Sequence, residues 1–266
     1  GKCPPRGFPF VNKETTMTTE IVPNTEQQIA INGLTNFISH APHGSTARLI
    51  GYAGTGKTLS TSICLQQHLK NNHLFKIALT APTNKATYVL HQMSPWAKNF
   101  ARVKFCTIHS ALGLVIKERE NRQELVQSRD EAECFSSTNF IAVDESSMAN
   151  KDLTSRIINA QKRHGTKVLI MGDPLQLPPI NETSSPAFDI PGPRWDLKQV
   201  MRTTEDNPVR QLVDTIRTQI AEGIDPNWAK LGQTIRTNPA NTSIGVWWLN
   251  KTLMLPLLQS AVRGKR

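Results

Sequence analysis

Short apolar runs and amphipathic stretches alternate through the middle of the chain. Residues 48–52 (RLIGY), 76–80 (KIALT), 140–144 (FIAVD) and 167–172 (KVLIMG) are mostly apolar, the pattern of strands buried on both faces. Between them, stretches beginning near Lys57, Asn84 and Asn150 place apolar residues at helical spacing. Buried strands joined by crossover helices predict an α/β fold, a parallel sheet with helices on both faces. Ligands of such sheets bind beyond the carboxyl ends of the strands.

The alternation breaks over residues 115–137. Within that stretch VIKERENRQELVQ fits two short polar strands about a turn near Asn121, which predicts a small inserted hairpin. After Pro208, the spacing of Val209, Leu212, Val213, Ile216 and Ile220 gives one apolar helix face, closed by Gly223. Residues 1–16 are Pro/Gly-rich at the start and lack any period, so they read as a leader or an added remnant.

Composition narrows the class. An apolar content of 38% over 266 residues suffices for a packed core. With no run of eighteen apolar residues and no secretory pattern, a cytoplasmic location is the expectation. Cys3, Cys64, Cys106 and Cys134 make no C-x-x-C pair, which favours reduced thiols over a zinc knuckle. The formal charge of +10, of which the first sixteen residues supply only +2, favours an anionic partner. Charge alone does not separate nucleic acid from an acidic protein.

Two segments carry specific chemistry. GYAGTGKT, residues 51–58, has the G-x-x-x-x-G-K-[ST] spacing of a phosphate-binding P-loop, between a predicted strand and a predicted helix. Gly51, Gly54 and Gly56 let the backbone turn tightly, so that N–H groups, including that of Thr55, surround a phosphate chain. Lys57 would reach the β- and γ-phosphates of ATP, and the Thr58 hydroxyl would hold Mg²⁺. FIAVDESS ends the third run with two acids, a Walker B arrangement. Asp144 suits a second Mg²⁺ contact, which leaves Glu145 to orient and deprotonate an attacking water.

Five further segments add a family resemblance: NTEQQIA (24–30), TAPTNKAT (80–87), TIHSALGL (107–114), IMGDPLQLPPI (170–180) and LKQVMRTTEDNPVRQL (197–212). Together with the two Walker segments they resemble, from about residue 23 to 211, the first RecA-like motor domain of superfamily 1 DNA helicases of the RecD/Dda type. The resemblance implies that Gln27 reads adenine, that Gln176 senses the γ-phosphate, and that Arg202 offsets charge there. It implies single-stranded DNA as partner, with RNA left open, held by Pro82, Thr83, Asn84, Thr107 and His109, with Lys85 assisting electrostatically. Movement would be 5′-to-3′, in replication, repair or recombination, in a nucleoid-associated or phage-encoded protein in the host cytoplasm. The hairpin over 115–127 stands where the family carries a pin.

Residues 17–200 are then expected to form the ATPase domain, with the insertion at 115–137. Residues 201–266 would begin a second motor domain that is incomplete here. Two other classes fit the Walker residues alone: a nucleotide switch that never steps, and an inactive remnant kept as a DNA-binding surface.

Overall fold

The computed structural model describes residues 22–119, 122–127 and 133–201, together with 214–216, 218, 219, 222 and 224. The expected leader, Arg202 and nearly all of the expected second domain lie outside the described residues. Of the apolar helix face expected after residue 208, Ile216 falls in described helix at 214–216.

The chain runs α1 (Thr25–His40), β1 (Thr46–Gly51), α2 (Lys57–Asn71), β2 (Ile77–Ala81), α3 (Asn84–Gln92), β3 (Val103–Thr107) and α4 (Ile108–Ala111). It continues through β4 (Leu114–Arg119), β5 (Arg122–Gln127), α5 (Glu133–Ser137), β6 (Phe140–Val143), α6 (Lys151–His164), β7 (Lys167–Gly172) and β8 (Arg194–Leu197). Six strands form one parallel sheet in the order β3-β2-β6-β7-β1-β8. The four apolar runs are β1, β2, β6 and β7, which occupy the middle of that order.

Alternation along each strand sorts the core into two layers. Leu49, Leu79, Phe140, Ala142 and Leu169 pack with Leu34 of α1 and Leu65 of α2 on one face. Ile50, Ala78, Ile141, Val143 and Ile170 pack with Ile108 of α4, Phe135 of α5 and Ile157 of α6 on the other. Helices therefore cover both faces, which is why these strands carry no polar alternation. Among the described residues no helix is long and apolar enough to cross a membrane.

The polar hairpin is present, with β4 and β5 antiparallel from Leu114↔Gln127 to Arg119↔Arg122. Its expected extent to residue 137 is too long. α5 belongs to the core instead, with Phe135 fully buried and its carbonyl accepting from Thr166 Oγ1 at 2.6 Å. Two apolar side chains, Cys134 and Phe135, in a polar stretch give no period from which to read a helix.

β8 has no apolar run and is mostly exposed, yet it extends the sheet beside β1 from Arg48↔Arg194 to Gly51↔Leu197. Gly192 feeds it with φ 146°, where a Cβ would collide with the Thr46 carbonyl. Backbone cannot yield as a side-chain tip can. Gly192→Ala is expected to lower stability by about 1–3 kcal/mol, measured by urea unfolding; an unchanged midpoint would show that β8 tolerates displacement.

Candidate phosphate and nucleic-acid site

β1 stops at Gly51, where a Cβ would come within 2.6 Å of Thr55 Oγ1 and 2.7 Å of the Leu197 carbonyl. Gly54 and Gly56 have φ of 83° and 90°, a region that L side chains rarely enter. The loop so formed delivers the chain into α2 at Lys57, whose first turn contains no acid. The positive end of that helix is therefore not offset by a side chain of its own first turn. Lys57 arches back, donating from Nζ to the carbonyls of Gly51 at 2.7 Å and Tyr52 at 2.9 Å. Gly54, Gly56, Lys57, Thr58, Leu59, Met93 and Met201 line a cleft of about 310 Å³.

The acids reach the same place from β6. Asp144 accepts from the Glu145 N–H at 2.9 Å, and the Lys57 ammonium and the Thr58 hydroxyl lie near enough to act on its carboxyl. The two expected Mg²⁺ contacts thus stand on neighbouring segments. Burial pushes the Asp144 carboxyl above the ordinary carboxylate range, against the Glu145 N–H, the Lys57 charge and the Thr58 hydroxyl, which pull it down. Glu145 is also raised, by burial first and then by the Asp144 charge; Lys57 opposes this and Asp173 adds to it. Its backbone is left-handed at φ 52°, a conformation that costs a non-glycine residue about 1–3 kcal/mol.

β7 lies between β6 and β1, so its exit loop falls between the acids and the P-loop. Asp173, fully buried, accepts from the Leu175 N–H at 3.1 Å, and its carbonyl accepts from Gln176 N at the same distance. Gln176 Oε1 accepts from Ser147 Oγ at 3.4 Å, which ties this loop to the segment after Glu145. Lys57, Thr58, Asp144, Glu145 and Gln176 are therefore brought to one end of three neighbouring strands.

Gln27 has a more structural setting than an adenine reader needs. It is 2% exposed, accepts from the Asn24 N–H at 3.0 Å and donates to the Thr55 carbonyl at 2.9 Å. A Cβ on Gly56 would strike its amide. With Asn24 Oδ1 accepting from Gln27 N at 2.8 Å, the pair forms a capping box that joins α1 to the P-loop. Sequence reading missed Asn24, Glu26 and Met201 at this junction. Met201 N donates to the Gly54 carbonyl at 2.9 Å, a contact between segments far apart in the chain that no local pattern announces.

The expected nucleic-acid contacts emerge next door. Ala81 and Thr107 pair at the ends of β2 and β3, so Pro82 to Lys85 and Thr107 to His109 leave the sheet side by side. Thr83, Asn84 and Lys85 are exposed, whereas Pro82, Thr107 and His109 are half-buried. Thr83 Oγ1 caps α3 by accepting from Ala86 N at 3.1 Å, and Thr107 Oγ1 caps α4 by accepting from Ser110 N at 3.1 Å.

The raised Asp144 carboxyl has a consequence for stability. The folded chain keeps its proton to higher pH than the unfolded chain, so folding loses stability as pH rises through the window between the two values. Asp144→Asn removes that loss. Without nucleotide it is expected to melt at or above the unmodified chain at neutral pH, with the gap closing as pH falls to the ordinary carboxylate range. Thermal melts of both proteins across that range measure this; a less stable variant at neutral pH would mean that Lys57 and Thr58 outweigh burial.

The sequence pattern of a family described as an AAA domain matches residues 35–182. An uncharacterized protein of Acanthamoeba polyphaga mimivirus is 31% identical over 193 residues, which cover 68% of this chain and 39% of that protein. A second, from Methanocaldococcus jannaschii, is 29% identical over 177 residues, 64% of this chain and 14% of that protein. Among solved structures, Pif1 helicase from Candida albicans matches with a TM-score of 0.53 at 19% identity, covering 81% of this chain and 47% of that one. Bacteroides Pif1 bound to ssDNA matches with a TM-score of 0.52 at 18% identity, covering 81% and 49%. The chain spans less than half the length of each of these proteins. The structural likenesses show a shared fold, that of RecA-like helicase motor domains. Since the family match takes in more than half of its residues, the chain belongs to the AAA domain family.

Proposed function

We propose that this chain is the nucleotide-binding part of an ATP-driven motor that moves along single-stranded DNA, the first motor domain of a superfamily 1 helicase. The observation that carries the reading is the convergence of Lys57 and Thr58 on Asp144, beside Glu145 and Gln176. The paired loops after β2 and β3 open at the same end of the sheet and offer helix-start N–H groups to a phosphate backbone. A nucleotide switch has no need of that second set.

In the proposed reaction, water attacks the γ-phosphorus while Glu145 takes its proton, and the bond to the bridging oxygen breaks to leave ADP and phosphate. The raised Glu145 carboxyl suits this task, since a stronger base accepts a proton nearer neutral pH. Lys57 and Arg202 offset charge on the phosphates, and Gln176 senses the γ-phosphate. Thr58 and Asp144 present hard oxygen donors near one another, a set that fits Mg²⁺. When bound, the ion would neutralise phosphate charge there.

The finer reading follows the RecD/Dda resemblance: 5′-to-3′ stepping, DNA held by Pro82, Thr83, Asn84, Lys85, Thr107 and His109, and a nucleoid-associated or phage-encoded location. Stepping in this class depends on closure of two domains about ATP.

Steady-state ATP turnover tests the core of this reading. Single-stranded DNA is expected to stimulate it, and Lys57→Ala to cut it by about 100-fold or more with an unchanged circular dichroism spectrum. Turnover that persisted in Lys57→Ala would remove the assigned site. Nucleotide binding without stimulation by DNA would favour the switch.

A further inference from the structure

Residues 198–201 leave β8 and pass in front of the phosphate loop as a short strap. Two contacts hold its backbone. Glu26 Oε2 accepts from the N–H groups of Lys198 at 2.7 Å and Gln199 at 3.0 Å, and Met201 N donates to the Gly54 carbonyl at 2.9 Å. Asn24 Nδ2 adds contacts to Gln199 Oε1 at 3.0 Å and Met201 Sδ at 3.4 Å. Gln27, next to Glu26 in the chain, holds the Thr55 carbonyl. The first turn of α1 therefore grips both the phosphate loop and the strap that crosses it.

A glutamate in the first turn of a helix ordinarily complements the positive helix end. Here that end is already served, because Asn24 and Gln27 form a complete capping box. The Glu26 carboxylate instead leaves the helix and gathers two backbone donors from a segment 172 residues later. Hydrogen bonds to an ionised acceptor are the strong kind, and a single oxygen receiving two of them fixes the strap in position. Met201, three residues beyond Lys198, is a wall of the cleft that also contains Gly56, Lys57 and Thr58.

We infer that Glu26 is a positioning residue for nucleotide: it seats the 198–201 strap so that Met201 closes one side of the cleft over the bound nucleotide. The inference rests on the nucleotide-site reading proposed above. Glu26 touches no phosphate in this scheme. It acts through the strap, and so it sets affinity more than the rate of the chemical step.

Binding of a fluorescent N-methylanthraniloyl ADP with Mg²⁺ to the whole chain tests it, beside hydrogen exchange of the strap amides. Glu26→Ala is expected to weaken binding by about tenfold and to expose the Lys198 and Gln199 amides to exchange, while α1 keeps its protection. Glu26→Gln keeps an acceptor oxygen and should bind within about threefold of the unmodified chain. If α1 lost protection together with the strap, the carboxylate would be serving the helix and the inference would fall. Unchanged binding in Glu26→Ala, with the unmodified chain binding normally, would overturn the strap alone. An unmodified chain that bound no nucleotide would overturn the site itself and this inference with it.

Discussion

The approach of Lys57 and Thr58 to the Asp144 carboxyl is the interaction on which the site depends. It joins the loop after β1 to the end of β6 although β7 lies between those strands. Strands are about 4.8 Å apart, so the two strand ends stand about two spacings apart and the P-loop must bend back across β7. That bend uses the positive φ of Gly54 and Gly56, while Gly172 at the end of β7 leaves room for Phe188 and the segment after Glu145. A Cβ there would press within 2.9 Å of Phe188 and 3.2 Å of Ser146 N. The glycines and the sheet order thus serve one geometric end.

Bringing these groups together concentrates like charge in a place that water reaches poorly. Asp144 and Glu145 are both raised, Asp173 adds to the repulsion at Glu145, and Lys57 opposes it for both acids. Lys57 meanwhile rests on the carbonyls of its own loop. A bound phosphate would exchange those carbonyls for a charged acceptor, a stronger partner. The strain at Glu145 and the desolvation of its neighbours weaken the fold locally, as groups set aside for chemistry commonly do.

Much of this was legible in the sequence, for reasons that differ by element. Strands buried on both faces must be apolar throughout, so β1, β2, β6 and β7 stood out. The P-loop and the Asp144–Glu145 pair are local patterns set by backbone chemistry, and their convergence followed once a parallel sheet was assumed. Edge strands carry no such obligation. β8 is half solvent-facing and reads RWDL, and α5 offers two apolar residues in a polar run. The roles of Asn24, Glu26 and Gln27 in bracing the loop were hidden because their partners are distant in sequence. A glutamine at the third position of a capping box looks the same whether it faces a ligand or a loop.

The same sheet also determines how the two sets of loops are related. β2 and β6 pair in parallel, Thr80 opposite Val143, and Thr80 Oγ1 donates to the Ala142 carbonyl at 2.9 Å. Asp144 N donates to the Thr80 carbonyl at 2.8 Å, so that acid is bonded to a residue two positions before Pro82. Thr107 lies one strand further on, opposite Ala81. A displacement of Asp144 therefore acts on the root of the loop carrying Thr83 and Asn84 through backbone hydrogen bonds in a closely packed interior, which transmits strain and yields little. Coupling between the acids and the exposed loops needs no long side-chain relay here, because the two sites share adjacent strands.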